Sequence, residues 1–186
     1  MTGASGAAES PRESAAPAAG AFPVMTPDEF KAAFRHHPGG VSLVTAEGPG
    51  GPVAMTATSV ASVSAEPPLL VFSVSTLSSS HATLTAVDTV VVHLLDARHR
   101  HLARLGATSG VDRFEDTSLW SPLATGEPVF HGTRWIRARI VSRLEAGTAT
   151  LVVAQALQSD LSAGVDEGLV YVDRAWHRLG AGSVLD

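Results

Sequence analysis

Residues 53–81 read VAMTATSVASVSAEPPLLVFSVSTLSSSH, and the fold turns on how this stretch is parsed. It holds two apolar, β-branched runs of strand character, Val53–Val63 and Leu69–Ser75, joined across Glu66-Pro67-Pro68. Hydroxyl residues are interleaved throughout: Thr56, Thr58, Ser59, Ser62, Ser64, Ser73 and Ser75. A buried hydroxyl needs a hydrogen-bond partner, so this is an odd way to build a plain core. It suits a wall against which a flat, polar-edged molecule lies. Ser78-Ser79-Ser80 follows where a short helix begins, a place for a phosphate on backbone N–H groups and hydroxyls. A flat ring with a phosphate is a nucleotide-type cofactor, and flavin mononucleotide is the simplest candidate.

Upstream, residues 1–22 are Ala, Gly, Ser, Pro and Glu with few large apolar side chains. They cannot bury enough surface to offset their ordering entropy and are expected to form a disordered tail. Residues 23–186 then form one domain. Thr26-Pro27-Asp28-Glu29 is a helix start, with Thr26 as N-cap, Pro27 at the first helical position and Glu29 completing a capping box. Phe30, Ala33 and Phe34 give that helix its inner face. Val41–Ala46 is a strand, turned by Glu47-Gly48-Pro49-Gly50-Gly51-Pro52 into the central stretch.

Downstream, Ala82–Val87 gives a short helix and Thr89–Leu95 a buried strand, and Asp96 caps a further helix to about Leu105. Gly106–Pro128 has little periodicity and reads as a long ordered loop holding Arg113-Phe114 and Trp120. Arg134–Glu145 alternates: Ile136, Ala138, Ile140 and Leu144 on one face, Arg137, Arg139, Arg143 and Glu145 on a wet one. Gly147 turns the chain into the strand Thr148–Leu157, and Leu169–Asp173 with Ala175–Leu179 make the last pair. Six to eight closely spaced strands with a few short helices fit a mainly β, antiparallel barrel better than a parallel α/β sheet.

Composition narrows the chemistry. The 186 residues are 45 % apolar, enough for one real core. No apolar run approaches the roughly 18 residues of a membrane span, and no secretory signal pattern opens the chain. With no cysteine there is no disulfide, thiolate catalysis or cysteine metal site. A net charge of −5 without a basic cluster argues against nucleic acid as partner. Of thirteen cationic residues only Lys31 is a lysine, which leaves a Schiff base one poor candidate. A cytoplasmic location is the default expectation.

The chain resembles the flavin reductase-like, FMN-binding split-barrel family, which includes reductase components of two-component flavin monooxygenases. The resemblance is carried by Ala54-Met55-Thr56-Ala57-Thr58-Ser59, by Ser62-Val63-Ser64-Ala65-Glu66-Pro67-Pro68 and by Ser78-Ser79-Ser80-His81. It continues in Asp112-Arg113-Phe114 and in Leu169-Val170-Tyr171 leading to Trp176-His177, and runs from about Phe30 to Leu179. It implies a six-stranded antiparallel split β-barrel with short flanking helices, forming a homodimer with flavin between subunits. It also implies reduction of FMN or FAD by NADH or NADPH, with reduced flavin supplied to a partner monooxygenase. By the family pattern, Met55, Thr56, Ala57 and Thr58 on one strand and Ser62, Val63 and Ser64 on the next flank the isoalloxazine. Ser75, Ser78, Ser79 and Ser80 approach the ribityl phosphate, Arg113 and Phe114 close from a loop, and His177 lies on the nicotinamide side. Hydride transfer to flavin N5 demands no protein nucleophile or base, so no catalytic side chain is expected.

Three positions depart from the pattern. Ala54 stands where the family often has Gly, and Ser79 where its phosphate loop often has Arg. Gly147-Thr148-Ala149 replaces a Gly-Asp-His triplet implicated in handling the pyridine nucleotide. The alternative reading is therefore a flavin- or other ligand-binding split-barrel module without turnover. Asp96, His99 and His101 do not share one helix face, so they are expected on a solvated face rather than around a metal.

Overall fold

The computed structural model describes residues 23–185, so the expected tail at 1–22 lies outside the described residues. These residues divide into two contact units, one ending at Phe34 and one running from Arg35. Helix α1 (Pro27–Arg35) starts on the expected capping box. The Thr26 backbone N–H and hydroxyl both donate to Glu29 Oε2 at 2.8 Å, and the Glu29 N–H returns to Thr26 Oγ1 at 3.3 Å. The apolar residues proposed for its inner face do not bury: Phe30 and Phe34 are more than half exposed and stack on each other at 4.7 Å.

From Arg35 onward the chain is mainly β. A seven-stranded antiparallel sheet contains β2 (Ser42–Gly48), β3 (Gly51–Ala57), β4 (Ala61–Ala65), β5 (Pro68–Ser75), β6 (Thr89–Leu94), β9 (Arg134–Ala146) and β10 (Ala149–Asp160). Its order is β3-β2-β6-β9-β10-β5-β4. A three-stranded sheet holds β1 (Gly39–Gly40), β11 (Gly168–Val172) and β12 (Ala175–Leu179), and β7 (Trp120–Pro122) pairs with β8 (Pro128–Phe130). Helices α2 (His81–Leu84) and α3 (Arg100–Ala107) are short.

The strand order forces the large sheet to curl. Its two edges, β3 and β4, are consecutive in the chain and joined only by Thr58-Ser59-Val60. Such a link spans at most about 14 Å when fully extended, so the edges must come together. Ser59 ties this link to β5, its Oγ accepting the Ser73 N–H at 3.0 Å. The result is a split barrel, seven strands around because short β4 adds an edge to the six expected.

Two cores follow from this closure. Val44, Phe72, Val90, Val92, Ala138 and Val152 fill the barrel. On the outer side of β2 and β3, Leu43 and Ala54 pack with Leu102 and Ala103 of α3, Phe114 and Phe130. Strand β2 is buried on both faces, which is why it reads as a nearly continuous apolar run rather than an alternation. Between the cores lies His93, fully buried. Its Nε2 accepts the Phe130 N–H at 3.1 Å, so Nδ1 carries the proton and donates to the Leu43 carbonyl at 3.0 Å. Burial pushes its pKa down to about 4.

Arg137, Asp96 and His99, placed on wet faces by the sequence pattern, prove to take part in buried polar clusters. Glu127 is 2 % exposed, and Arg137 of β9 reaches it with Nε at 2.8 Å. Thr89 and Thr125 hydroxyls donate to the same carboxylate. Burial pushes Glu127 up, and these donors outweigh it and hold it below its ordinary value. Asp96 and His99 are likewise buried. Asp96 caps the 3-10 turn Ala97–His99, accepting from the Arg98 N–H at 3.1 Å and from Arg98 Nη2 at 2.6 Å. A cap leading into α3 was expected; its burial was not.

Candidate functional site

The hydroxyls singled out by sequence divide into those consumed by the scaffold and those left facing outward. Thr56 donates to the Ala103 carbonyl at 2.7 Å, riveting β3 to α3. Ser80, 1 % exposed, donates to the Ala54 carbonyl at 3.1 Å and makes no side-chain cap of α2. Met55 packs against the barrel core and Ala57 lies within it. These four are taken up by the scaffold.

Thr58, Ser62 and Ser79 are exposed and Ser64 is half-buried. Val63, 57 % exposed, sits at an irregularity where Ser62 pairs with Leu70 and Ser64 with Leu69. Such a bulge turns successive side chains out of strict alternation. Ser75 and Ser78 fold the loop after β5: Ser75 Oγ accepts the Leu77 N–H at 3.2 Å and Ser78 Oγ the Ser80 N–H at 3.3 Å. The loop is tied to the β9–β10 turn, because the Thr76 N–H and hydroxyl both donate to the Thr148 carbonyl. His81 donates through Nε2 to Thr150 Oγ1 at 3.0 Å, as that hydroxyl gives its own proton to Glu145.

Arg113 and Phe114 are placed differently from a closing lid. Arg113 donates to the carbonyls of Leu105 (3.3 Å) and Thr108 (2.7 Å), satisfying the C-terminal end of α3. Phe114 is 8 % exposed, 5.1 Å from the Trp120 ring and 5.6 Å from Phe130.

Two cavities border the β11–β12 hairpin. The first, about 490 Å³, is walled by Val60, Ala61, Leu70, Val92, Ile136 and Leu179, with Ser42 and Ser62 as hydroxyls and the backbone of Gly40 and Gly168. It falls in the size range of cofactor clefts, apolar walls with a few polar groups. The second, about 510 Å³, is charged: Arg98, Arg100, Asp166, Glu167, Trp176, His177 and Arg178 line it. Ion pairs neutralise much of that charge, Arg98 with Asp96 and Arg178 with Glu167. The structure thus puts Ser62 in the apolar cleft, His177 at the charged one and the serines of 75–80 in a loop of their own.

Sequence reasoning missed Val60 and Leu179 on the wall of the apolar cleft, and Arg134, which lies outside its lining but shares a ladder face with Ile136. Arg134 had a legible signal, since it shares parity with Ile136 and so is an arginine on the apolar face of β9.

The antiparallel barrel thus carries a hydroxyl-edged apolar cleft with a charged cleft adjoining it at Leu169. The chain belongs to the flavin reductase like domain family, whose model matches residues 34–180. A relative from Rhodococcus qingshengii, an NADH:FMN oxidoreductase, is 47 % identical over 126 residues, covering 67 % of this chain and 66 % of that protein. A flavin reductase domain protein from Arthrobacter sp. FB24 superposes with a TM-score of 0.78 at 30 % identity, covering 86 % of this chain and 97 % of that one. BorF, the flavin reductase component of a bacterial two-component tryptophan halogenase, gives 0.73 at 28 % identity, covering 82 % and 97 %.

Proposed function

We propose that this protein is an NAD(P)H:flavin oxidoreductase that reduces FMN or FAD and supplies the reduced flavin to a partner oxygenase. The single observation that carries this reading is the 490 Å³ apolar cleft with Ser62 on its wall, beside the bulged Ser62-Val63-Ser64 strand, in a chain of this family. When bound, the flavin supplies the redox chemistry: a hydride brings two electrons and one proton from nicotinamide C4 to N5. The chain's own residues bind and orient. Val60, Leu70 and Leu179 offer flat apolar contact, Ser62 and Ser64 offer hydroxyls to the ring edge, and Ser75, Ser78 and Ser79 offer theirs to the phosphate. His177 and the charged cleft take the nicotinamide nucleotide.

A homodimer completes the site in this reading, supported by the run of exposed residues Thr58, Ser59, Ala61, Ser62 and Val63. A cytoplasmic location goes with it, because NADH and NADPH are used there. No helix among the described residues is long and apolar enough to cross a membrane.

The test is spectroscopic. Purified protein with FMN, then NADH or NADPH under air, should remove the nicotinamide absorbance over many turnovers. Ala149, where the family's histidine is missing, favours the second reading of a binding module; tight yellow binding without turnover would establish that instead. The phosphate loop is tested by Ser79→Asp. The added carboxylate should weaken FMN at least tenfold and leave riboflavin, which has no phosphate, unchanged by fluorescence titration.

A further inference from the structure

Among the buried side-chain polar atoms of the described residues, Arg134 Nε alone has no hydrogen-bond partner. No carboxylate among these residues lies within ion-pair distance of its guanidinium. Folded proteins rarely leave such a donor unmade, and an arginine cannot shed its proton to escape the problem. Neither the barrel nor the charged cleft uses this side chain.

The register says what it faces. Arg134 pairs with Leu94 and Ile136 with Val92, so the four share one face of the β6–β9 ladder. Leu94, Val92 and Ile136 all line the apolar cleft. Arg134 is outside the cleft's lining, one pleat beyond Ile136 on the same ladder face, so its register sets a permanent positive charge next to the apolar slot. A neutral apolar ligand would leave Nε as it is. A ligand with an apolar body and an electron-rich edge would complete it.

We propose that Arg134 meets the N1–C2=O edge of the flavin and favours its reduced form. The proposal rests on the reading that the apolar cleft holds the isoalloxazine. Reduction adds a hydride at N5, its two electrons and one proton coming from nicotinamide C4, which becomes oxidised. The ring is left with negative charge over N1 and C2=O unless water supplies a second proton. A fixed guanidinium there binds the reduced ring more tightly than the oxidised one, which raises the bound flavin's potential.

The decisive variant is Arg134→Met, which keeps the stem and removes both the charge and the orphan donor. Without ligand its thermal midpoint should equal or exceed that of the natural protein, because no contact in the fold is lost. Anaerobic titrations should show oxidised FMN bound within threefold of the natural protein and reduced FMN at least tenfold weaker. That differential lowers the bound potential by about 30 mV per factor of ten. Arg134→Lys keeps the charge without the fork and should fall between. Equal weakening of both redox forms, or none, overturns the proposal, and so does a midpoint lowered by Arg134→Met, which would make the arginine structural. If the natural protein binds neither form of flavin, the cleft reading fails first and this inference with it. If it binds and turns over flavin while Arg134→Met keeps the redox preference, only this inference falls.

Discussion

His93 shows how much a single side chain in this fold depends on staying neutral. It is enclosed, with one ring nitrogen donating to Leu43 and the other accepting from Phe130, so protonation breaks the second bond and buries a charge. Its folded pKa of about 4 lies below the unfolded value of 6.5. The unfolded chain therefore binds the proton first as pH falls, and stability present above pH 6.5 is lost down to about 4. The loss is about 3 kcal/mol for this one group. Urea unfolding at steps between pH 7 and 4 should show a slope lower by about one proton in His93→Gln than in the natural chain. An unchanged slope would mean that His93 does not carry the dependence. The same scale explains why hydroxyls misled the reading of the site. Thr56 and Ser80 sit in the same pattern as Ser62 and Ser79, yet each is turned to a carbonyl 26 or more positions away in the chain. A pattern two residues deep cannot register a partner supplied by a later helix or an earlier strand.

At the scale of elements, α3 has an unusually close seat on β2 and β3. A Cβ built on Gly106 would come within 2.3 Å of Leu43 Cδ1, 2.5 Å of Thr56 Oγ1 and 3.0 Å of the Thr56 backbone nitrogen. The last of these cannot rotate away. Gly106→Ala gains up to about 1 kcal/mol of helix propensity, but the overpacking costs about 1–3 kcal/mol. The net expectation is a destabilised protein, read as a lower denaturant midpoint, and a stabilised one would show that α3 can lift off its seat. Elements with clear periodicity or turn chemistry were legible in the sequence: the β2–β3 hairpin at its glycine turn, β9 from its alternation, the Asp96 cap. The β7–β8 pair was not. Each strand is three residues long, too short for any period, and the segment is held by Phe114, Trp120 and Phe130 packing on one another rather than by a pattern of its own.

At the scale of the molecule, the barrel was readable from the close spacing of its strands, although the break at Thr58-Ser59-Val60 that divides β3 from β4 was not, and assembly leaves no such mark in one chain. Within the β9–β10 hairpin, β9 outruns β6 while β10 stays paired with β5 over residues 149–155. Beyond Arg139 strand β9 no longer pairs with β6, and from Ser142 to Ala146 it pairs only with β10. Val141 and Leu144 of β9, Leu157 of β10 and Leu161 just past its end are 46–60 % exposed. Three half-exposed apolar side chains on the two strands of one hairpin, with a fourth just after it, suit an interface. If this hairpin is where two copies meet, light scattering should give twice the 19.2 kDa of one chain. Leu144→Glu should then return the mass to that of one chain. Because the proposed site is shared between subunits, the same change should weaken FMN at least tenfold, though Leu144 lines neither of the two cavities. A monomeric natural protein would refute the shared site, and a monomeric variant with undiminished flavin affinity would separate assembly from binding.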